Sequence, residues 1–285
     1  MMNNIILNAN AKINLTLDVL RKREDGYHDL RMIMMEIPLS DKVFLTKSDD
    51  ISVSTNLSFL PNNQKNIAYQ AAKQFFLETN ISAGVHIEIQ KNIPVSAGLA
   101  GGSTDAAAVL KGLNQLFDAG LSLEQLQAIG NKIGKDVPFC LQGGIALAEG
   151  TGEQLQPLPK LPPCWLVLIK PKYLNVSTKE VFLALNASRI ELHPDTNGAI
   201  SALKQRDLNG LCRRMYNVLE DVTVKKHPII AEYKSIMLEY NALGSIMSGS
   251  GPSVFGIFDS YEQAKQAEEK LLLMDKQVFL MEIPE

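Results

Sequence analysis

Between Pro94 and Ala108 the chain reads Pro-Val-Ser-Ala-Gly-Leu-Ala-Gly-Gly-Ser-Thr-Asp-Ala-Ala-Ala. Gly98, Gly101 and Gly102 lack a Cβ, so the backbone there can approach a ligand closely and take positive φ. Where such a loop opens a helix, unpartnered N–H groups and about half a positive charge face the incoming group, an arrangement that suits phosphate. The hydroxyls of Ser103 and Thr104 could bind a phosphate oxygen or a metal ion. Asp105 is awkward beside a bare anion and points instead to a cation, Mg²⁺, with Ser103 and Asp105 as candidate ligands. A small-residue turn packing a helix on a sheet is the plainer reading; the length of the run and its hydroxyls favour phosphate. Two familiar nucleotide loops are excluded. No lysine lies between Lys91 and Lys111, as a Walker A loop requires, and the glycine spacing does not give Gly-x-Gly-x-x-Gly.

The flanking residues supply the elements that must hold this loop. Val85, Ile87 and Ile89 alternate with His86, Glu88 and Gln90, a strand pattern. Val109, Leu110, Leu113, Leu116 and Phe117 recur at helical spacing, and Ser103 or Thr104 is expected to cap that helix. Residues 4–20 read as one or two strands. Lys12 and Asn14, two apart, share one strand face; taken alone, Lys12 reads as an exposed edge lysine. Asp25-Gly26 marks a turn before Tyr27-His28, a pair that could be surface packing or could stack on a base and read its edge. Met32 to Pro38 and Val43 to Lys47 read as strands. Asn66 caps a helix whose apolar stripe is Ile67, Ala71, Phe75 and Phe76. Ser122 to Ile133 forms another, with Ser122 and Gln125 as a capping box. Asp136 then stands at the end of that helix, unfavourably against its dipole, in a turn before Pro138 and a strand at Gly144 to Ala148.

Leu155 to Pro163 holds Pro157, Pro159, Pro162 and Pro163 and reads as a linker between domains at 1–155 and 164–285. Beyond it come a strand at Trp165 to Ile169, a helix near Lys179 to Leu185 that carries Phe182, and a loop at Glu191 to Gly198. Helices are expected at Asp207 to Leu219 and Pro228 to Tyr240. Gly249 and Gly251 flank Ser250 in a second glycine-rich turn, followed by a strand, a helix at Tyr261 to Leu273 and a strand at Val278 to Glu282. Alternating strands and helices give an α/β fold.

With 285 residues, 46% hydrophobic, the chain can bury one large core or two smaller ones. A net charge of -3 gives no reason to invoke nucleic acid or an acidic membrane. The three cysteines are scattered, which points to reduced thiols rather than disulfides or zinc. No signal peptide or membrane span is read, so the cytoplasm is expected. Monomer and homodimer both remain open.

The run from Pro94 to Ala108 resembles the phosphate loop of the galactokinase, homoserine kinase, mevalonate kinase and phosphomevalonate kinase superfamily. Ser248-Gly-Ser-Gly-Pro252 resembles the superfamily's third motif, which contacts substrate diphosphate, and Ala11-Lys-Ile-Asn-Leu15, Arg23-Glu-Asp-Gly-Tyr-His-Asp-Leu30, Gly134-Lys-Asp-Val-Pro138 and Ser177-Thr-Lys-Glu-Val-Phe182 resemble further segments of one branch, which acts on a cytidine-diphospho sugar alcohol. The resemblance implies an ATP-dependent kinase of the 2-hydroxyl of cytidine-diphospho-methylerythritol, with Mg²⁺, in the non-mevalonate isoprenoid pathway. It implies Lys12 and Asp136 as the catalytic pair. It implies ATP binding by Pro94, Val95, Ser96, Ala97, Gly98, Leu99, Ala100, Gly101, Gly102, Ser103 and Thr104, with Asn66 near the adenine. Substrate binding falls to Asn14, Tyr27, His28, Phe182, Ser250 and Gly251. The implied fold is a ribosomal-S5-domain-2-like N-terminal domain and a ferredoxin-like C-terminal domain, with the active site in the cleft between them. Asn217 and Glu220 match an Asn-x-Leu-Glu pattern of no derivable role. Ala100 replaces a common Gly, and Asp105 stands where other members have Asn. A homoserine- or mevalonate-type acceptor, or a non-catalytic nucleotide-binding protein, are the alternatives.

Overall fold

The computed structural model describes residues 2–187 and 190–284 and divides into two compact units, each assembled from separate stretches of chain. The first holds the chain up to Lys12, Leu39–Ile93 and Ala100–Gly143; the second holds Ile13–Pro38, Pro94–Leu99 and the chain from Gly144 onward.

In the first unit, the latter part of β2 (His28–Ser48) runs antiparallel to β4 (Gly84–Gln90), with Val43 opposite Ile89. β3 (Ser52–Thr55) lies parallel on the other edge of β4. The period of two turns Val43, Leu45, Val85, Ile87 and Ile89 inward, all buried. Against them pack α1 (Ile67–Thr79) and α2 (Gly101–Leu116). Phe75 is fully buried, and burial of one such ring stabilises by about 1.5–3 kcal/mol. Leu126 and Ile129 of α3 (Leu123–Ile133) and Val137 and Leu141 of α4 (Val137–Gln142) complete this core. The expected capping box of α3 forms: Gln125 N donates to Ser122 Oγ, and Ser122 N to Gln125 Oε1.

In the second unit, β1 (Asn4–Lys22) pairs in parallel with β8 (Tyr216–Asn217), Thr16 opposite Tyr216. The early part of β2 pairs antiparallel with β5 (Ile145–Gly150), and β5 with β6 (Gln154–Leu158). A second sheet has the order β11 (Val278–Ile283), β7 (Cys164–Ile169), β10 (Val254–Phe258), β9 (Gly244–Met247), all antiparallel. α9 (Ile229–Glu239) and α10 (Tyr261–Leu272) pack on it. Numbered along the chain, that order is fourth-first-third-second, a ferredoxin-like sheet. α5 (Thr178–Ala184), α6 (Thr196–Lys204), α7 (Leu208–Cys212) and α8 (Glu220–Lys226) complete the unit.

Several expectations are corrected. β2 is one strand rather than two. Pro38 falls between the stretch paired with β5 and the stretch paired with β4, where its missing N–H breaks neither ladder. The proline-rich segment begins as an edge strand, Pro157 lying opposite Ala146, and only then becomes irregular. Pro138 opens α4 instead of making a turn, because an early helical position asks for no N–H. The helix expected over 207–219 stops at Cys212, and the chain turns to pair with β1. Among the described residues no helix is long and apolar enough to cross a membrane.

Candidate active site

In the first unit, α2 starts at Gly101. Its N-cap is Ala100 at φ 57°, with no side-chain cap hydrogen bond. This corrects the expectation that Ser103 or Thr104 caps the helix. Both lie inside the first turn, where Thr104 Oγ1 donates to Gly101 O at 2.9 Å and Ser103 stays partly exposed. The opening amides therefore have no side-chain acceptor in front of them, as an anion site requires.

The neighbours of this turn are fixed by close packing. A Cβ on Gly102 would stand 3.3 Å from Ile67 Cγ2, so α1 begins beside α2. Asn66 caps α1: its Oδ1 accepts from Ala68 N and its Nδ2 donates to Pro61 O, each at 2.9 Å. A Cβ on Gly134 would lie 3.8 Å from Ser103 Oγ, which brings the α3–α4 connection to the same place.

That connection carries Asp136. It is the N-cap residue of α4, placed at the positive end of a helix and not, as the sequence suggested, at the negative end of one, although its side chain makes no cap hydrogen bond. Lys12 Nζ lies 4.0 Å from Asp136 Oδ2. The Lys12 side chain is 6% exposed, a buried ammonium and not an edge lysine; that of Asp136 is 36% exposed. Four ångströms is too long for a hydrogen bond and short enough for strong attraction. An oxygen atom placed between them would reach both.

Behind α2, Lys91 Nζ donates to Asp105 Oδ2 at 2.6 Å, to Gly101 O at 3.2 Å and to Asp41. All three charged side chains are buried. Asp41 Oδ1 also accepts from the N–H groups of Asn92 and Ile93. Burial raises the Asp105 carboxyl to about 8, opposed by Lys91 and assisted by the like charge of Asp41. Burial also works against the Lys91 charge, but its two carboxylates outweigh this and raise it. Asp105 therefore does not fit a magnesium ligand set: one oxygen is on an ammonium, and the other is buried without a hydrogen-bond partner among the described residues. Nor do three or more His, Cys, Asp or Glu converge on a metal position among the described residues.

In the second unit, Pro94–Leu99 is clasped by the second glycine loop. Gly98 has φ 75°, and a Cβ there would stand 2.2 Å from Ser248 O. Ser248 Oγ donates to Gly98 O at 3.0 Å, and Ser253 N to Ala97 O at 3.3 Å. Asn14 joins them: a Cβ on Gly249 would lie 3.6 Å from Asn14 Oδ1. Ser250 Oγ is 2.8 Å from Thr178 Oγ1 at the start of α5. One turn further, Phe182 meets His28, ring centroids 5.1 Å apart and tilted by 33°. Burial, then Lys22, lowers the His28 pKa and favours neutral imidazole, one nitrogen a donor and the other an acceptor. A base sandwiched between the two rings would need them about 7 Å apart, two contact distances. Tyr27 is 54% exposed, on a turn closed by its N–H to Asp25 Oδ1. Arg23 braces that turn through Asp25 and Asp29.

Residues 66–144 match the GHMP kinases N terminal domain, and residues 199–273 the GHMP kinases C terminal domain. The chain is 52% identical to the 4-diphosphocytidyl-2-C-methyl-D-erythritol kinase of Alkaliphilus oremlandii (strain OhILAs), covering 99% of this chain and 97% of that protein. A crystal structure of 4-(cytidine 5'-diphospho)-2C-methyl-D-erythritol kinase matches with a TM-score of 0.83 at 32% identity, covering 99% of this chain and all of that one. A homoserine kinase from Cytophaga hutchinsonii ATCC 33406 matches at 0.80 but with 20% identity, covering 100% and 96%, a likeness of fold alone. The chain belongs to the GHMP kinases and, within them, to the 4-diphosphocytidyl-2-C-methyl-D-erythritol kinase family.

Proposed function

We propose that this protein transfers the γ-phosphoryl group of ATP to the 2-hydroxyl of 4-(cytidine 5'-diphospho)-2-C-methyl-D-erythritol, releasing ADP, in the cytoplasm. The observation that carries the reading is the full-length identity to kinases named for that substrate, together with Lys12 and Asp136 at 4.0 Å. Phosphoryl transfer depends on positioning and charge neutralisation more than on covalent help. The uncapped start of α2 and the loop before it receive the ATP phosphates, and Asn66 fixes the helix beside them. Asp136 accepts or orients the proton of the acceptor hydroxyl. Lys12 stabilises charge that develops between donor and acceptor oxygens. Neutral His28 reads the cytosine edge, with Phe182 and Tyr27 as its aromatic surroundings, while Asn14, Ser250 and Gly251 hold the remainder of the acceptor. Ser103 is the side chain that would hold Mg²⁺, which would supply neutralisation of the nucleotide's phosphate charge. Three free thiols agree with a reducing compartment.

The test is ADP release with ATP, Mg²⁺ and the cytidine substrate, with homoserine and mevalonate as parallel acceptors. ADP formed with the cytidine substrate alone supports the assignment. Turnover of another acceptor retains the kinase chemistry and removes the cytidine role of Tyr27 and His28.

A further inference from the structure

Asn217 is 1% exposed, and it spends both of its side-chain donors on one loop. Its Nδ2 donates to Met247 O at 2.9 Å and to Gly249 O at 2.7 Å, and its Oδ1 accepts from Leu219 N at 3.0 Å. Glu220 Oε2 accepts from Met247 N at 2.9 Å while its other oxygen pairs with Lys234. Thr223 Oγ1 donates to Ser250 O at 3.2 Å. Residues three apart on the approach to α8 and along it thus grip the backbone of Met247–Ser250. In a trans peptide the carbonyl of one residue and the N–H of the next point in opposite directions. Turning the Gly249 carbonyl onto Asn217 therefore turns the Ser250 N–H away from it. From the same loop Ser248 holds the Gly98 carbonyl.

We propose that Asn217 and Glu220 are positioning residues that set the Met247–Gly251 backbone to receive the diphosphate of the acceptor. The inference rests on the reading of Ser250 and Gly251 as acceptor-binding. Neither side chain need touch the ligand. Their effect is to hold, before binding, an orientation of peptide groups that the loop's four glycine and serine positions would otherwise sample.

The test is calorimetric titration of the full-length protein with cytidine and with CDP, the affinity gain from one to the other reporting on the diphosphate. Wild-type protein gains on adding the diphosphate; Asn217→Ala loses about tenfold in CDP affinity and keeps cytidine affinity. Glu220→Ala behaves alike, and Glu220→Gln, which can still accept from Met247 N, restores the gain. A merely structural role would not separate the two ligands or respond to Gln. Undiminished CDP gain in folded Asn217→Ala overturns the proposal; if that variant does not fold, undiminished gain in Glu220→Ala does so. No gain in the wild type instead overturns the acceptor-binding role of the loop, and the proposal with it.

Discussion

Asp105→Asn tests the buried charges behind α2. Asp105 is 4% exposed, and its folded-state pKa of about 8 lies above the ordinary 3.8. Two carboxylates share one ammonium there, so full ionisation would bury a net negative charge; a proton on Asp105 avoids this. A folded pKa raised above the unfolded one contributes stability that is complete below about pH 4 and is lost as pH rises toward 8. The slope between those limits approaches 1.4 kcal/mol per pH unit, because the folded state binds one proton more than the unfolded state. From pH 5 to pH 7 the wild type should therefore lose about 2–3 kcal/mol through this group. Asparagine has the same shape and no such proton. Titrating groups distant from this cluster act equally in both proteins and cancel in the difference. Urea unfolding at pH 5, 6 and 7 should show Asp105→Asn gaining on the wild type by that amount. Turnover at saturating Mg²⁺ should stay within about threefold, since Asp105 faces Lys91 and not a metal. Parallel stability curves would refute the protonated Asp105, and a large loss of turnover would restore it as a ligand.

Asp136→Ala should lower kcat by about 10²–10⁴ while CDP binding by calorimetry stays near wild type; comparable turnover would remove Asp136 from the mechanism. Gly98→Ala places a methyl 2.2 Å from Ser248 O at φ 75°, so a loss of about 2–4 kcal/mol in urea unfolding is expected, and wild-type stability would mean that the clasp is loose. Burial lowers the His28 pKa, so the KM for the cytidine substrate should be flat above pH 6.5 and rise only in more acid solution. A rise beginning above that point, unchanged in His28→Gln, would assign the titration to another group.

The parts of this molecule that local pattern governs were legible in the chain itself. Ser122 and Gln125 announce α3, and the alternation at Val85, Ile87 and Ile89 gives β4, because capping and burial act over a few residues. The glycine run was legible as a loop that opens a helix for the same reason. Partnership between distant residues was not. Asp105 read as a cation ligand because nothing near it in sequence reveals Asp41 and Lys91, which fold against it from 64 and 14 residues away, the differences of the residue numbers. Asn217 lay where a helix was expected, and pairing with β1 overrode that local preference. Lys12 read as exposed, since burial of a lysine depends on what covers the strand.

The register that sets Thr16 against Tyr216 places the two partners 200 residues apart, 216 minus 16. A ribosome adding about 5–20 residues per second needs roughly 10 to 40 s to deliver the second after the first. Through that interval the edge of β1 that takes β8 has no native neighbour. Its hydrogen-bonding groups are open to whatever strand is nearby, another nascent copy included. Slow translation or crowded polysomes should therefore be felt as misassembly at this edge before any loss of stability in the finished protein.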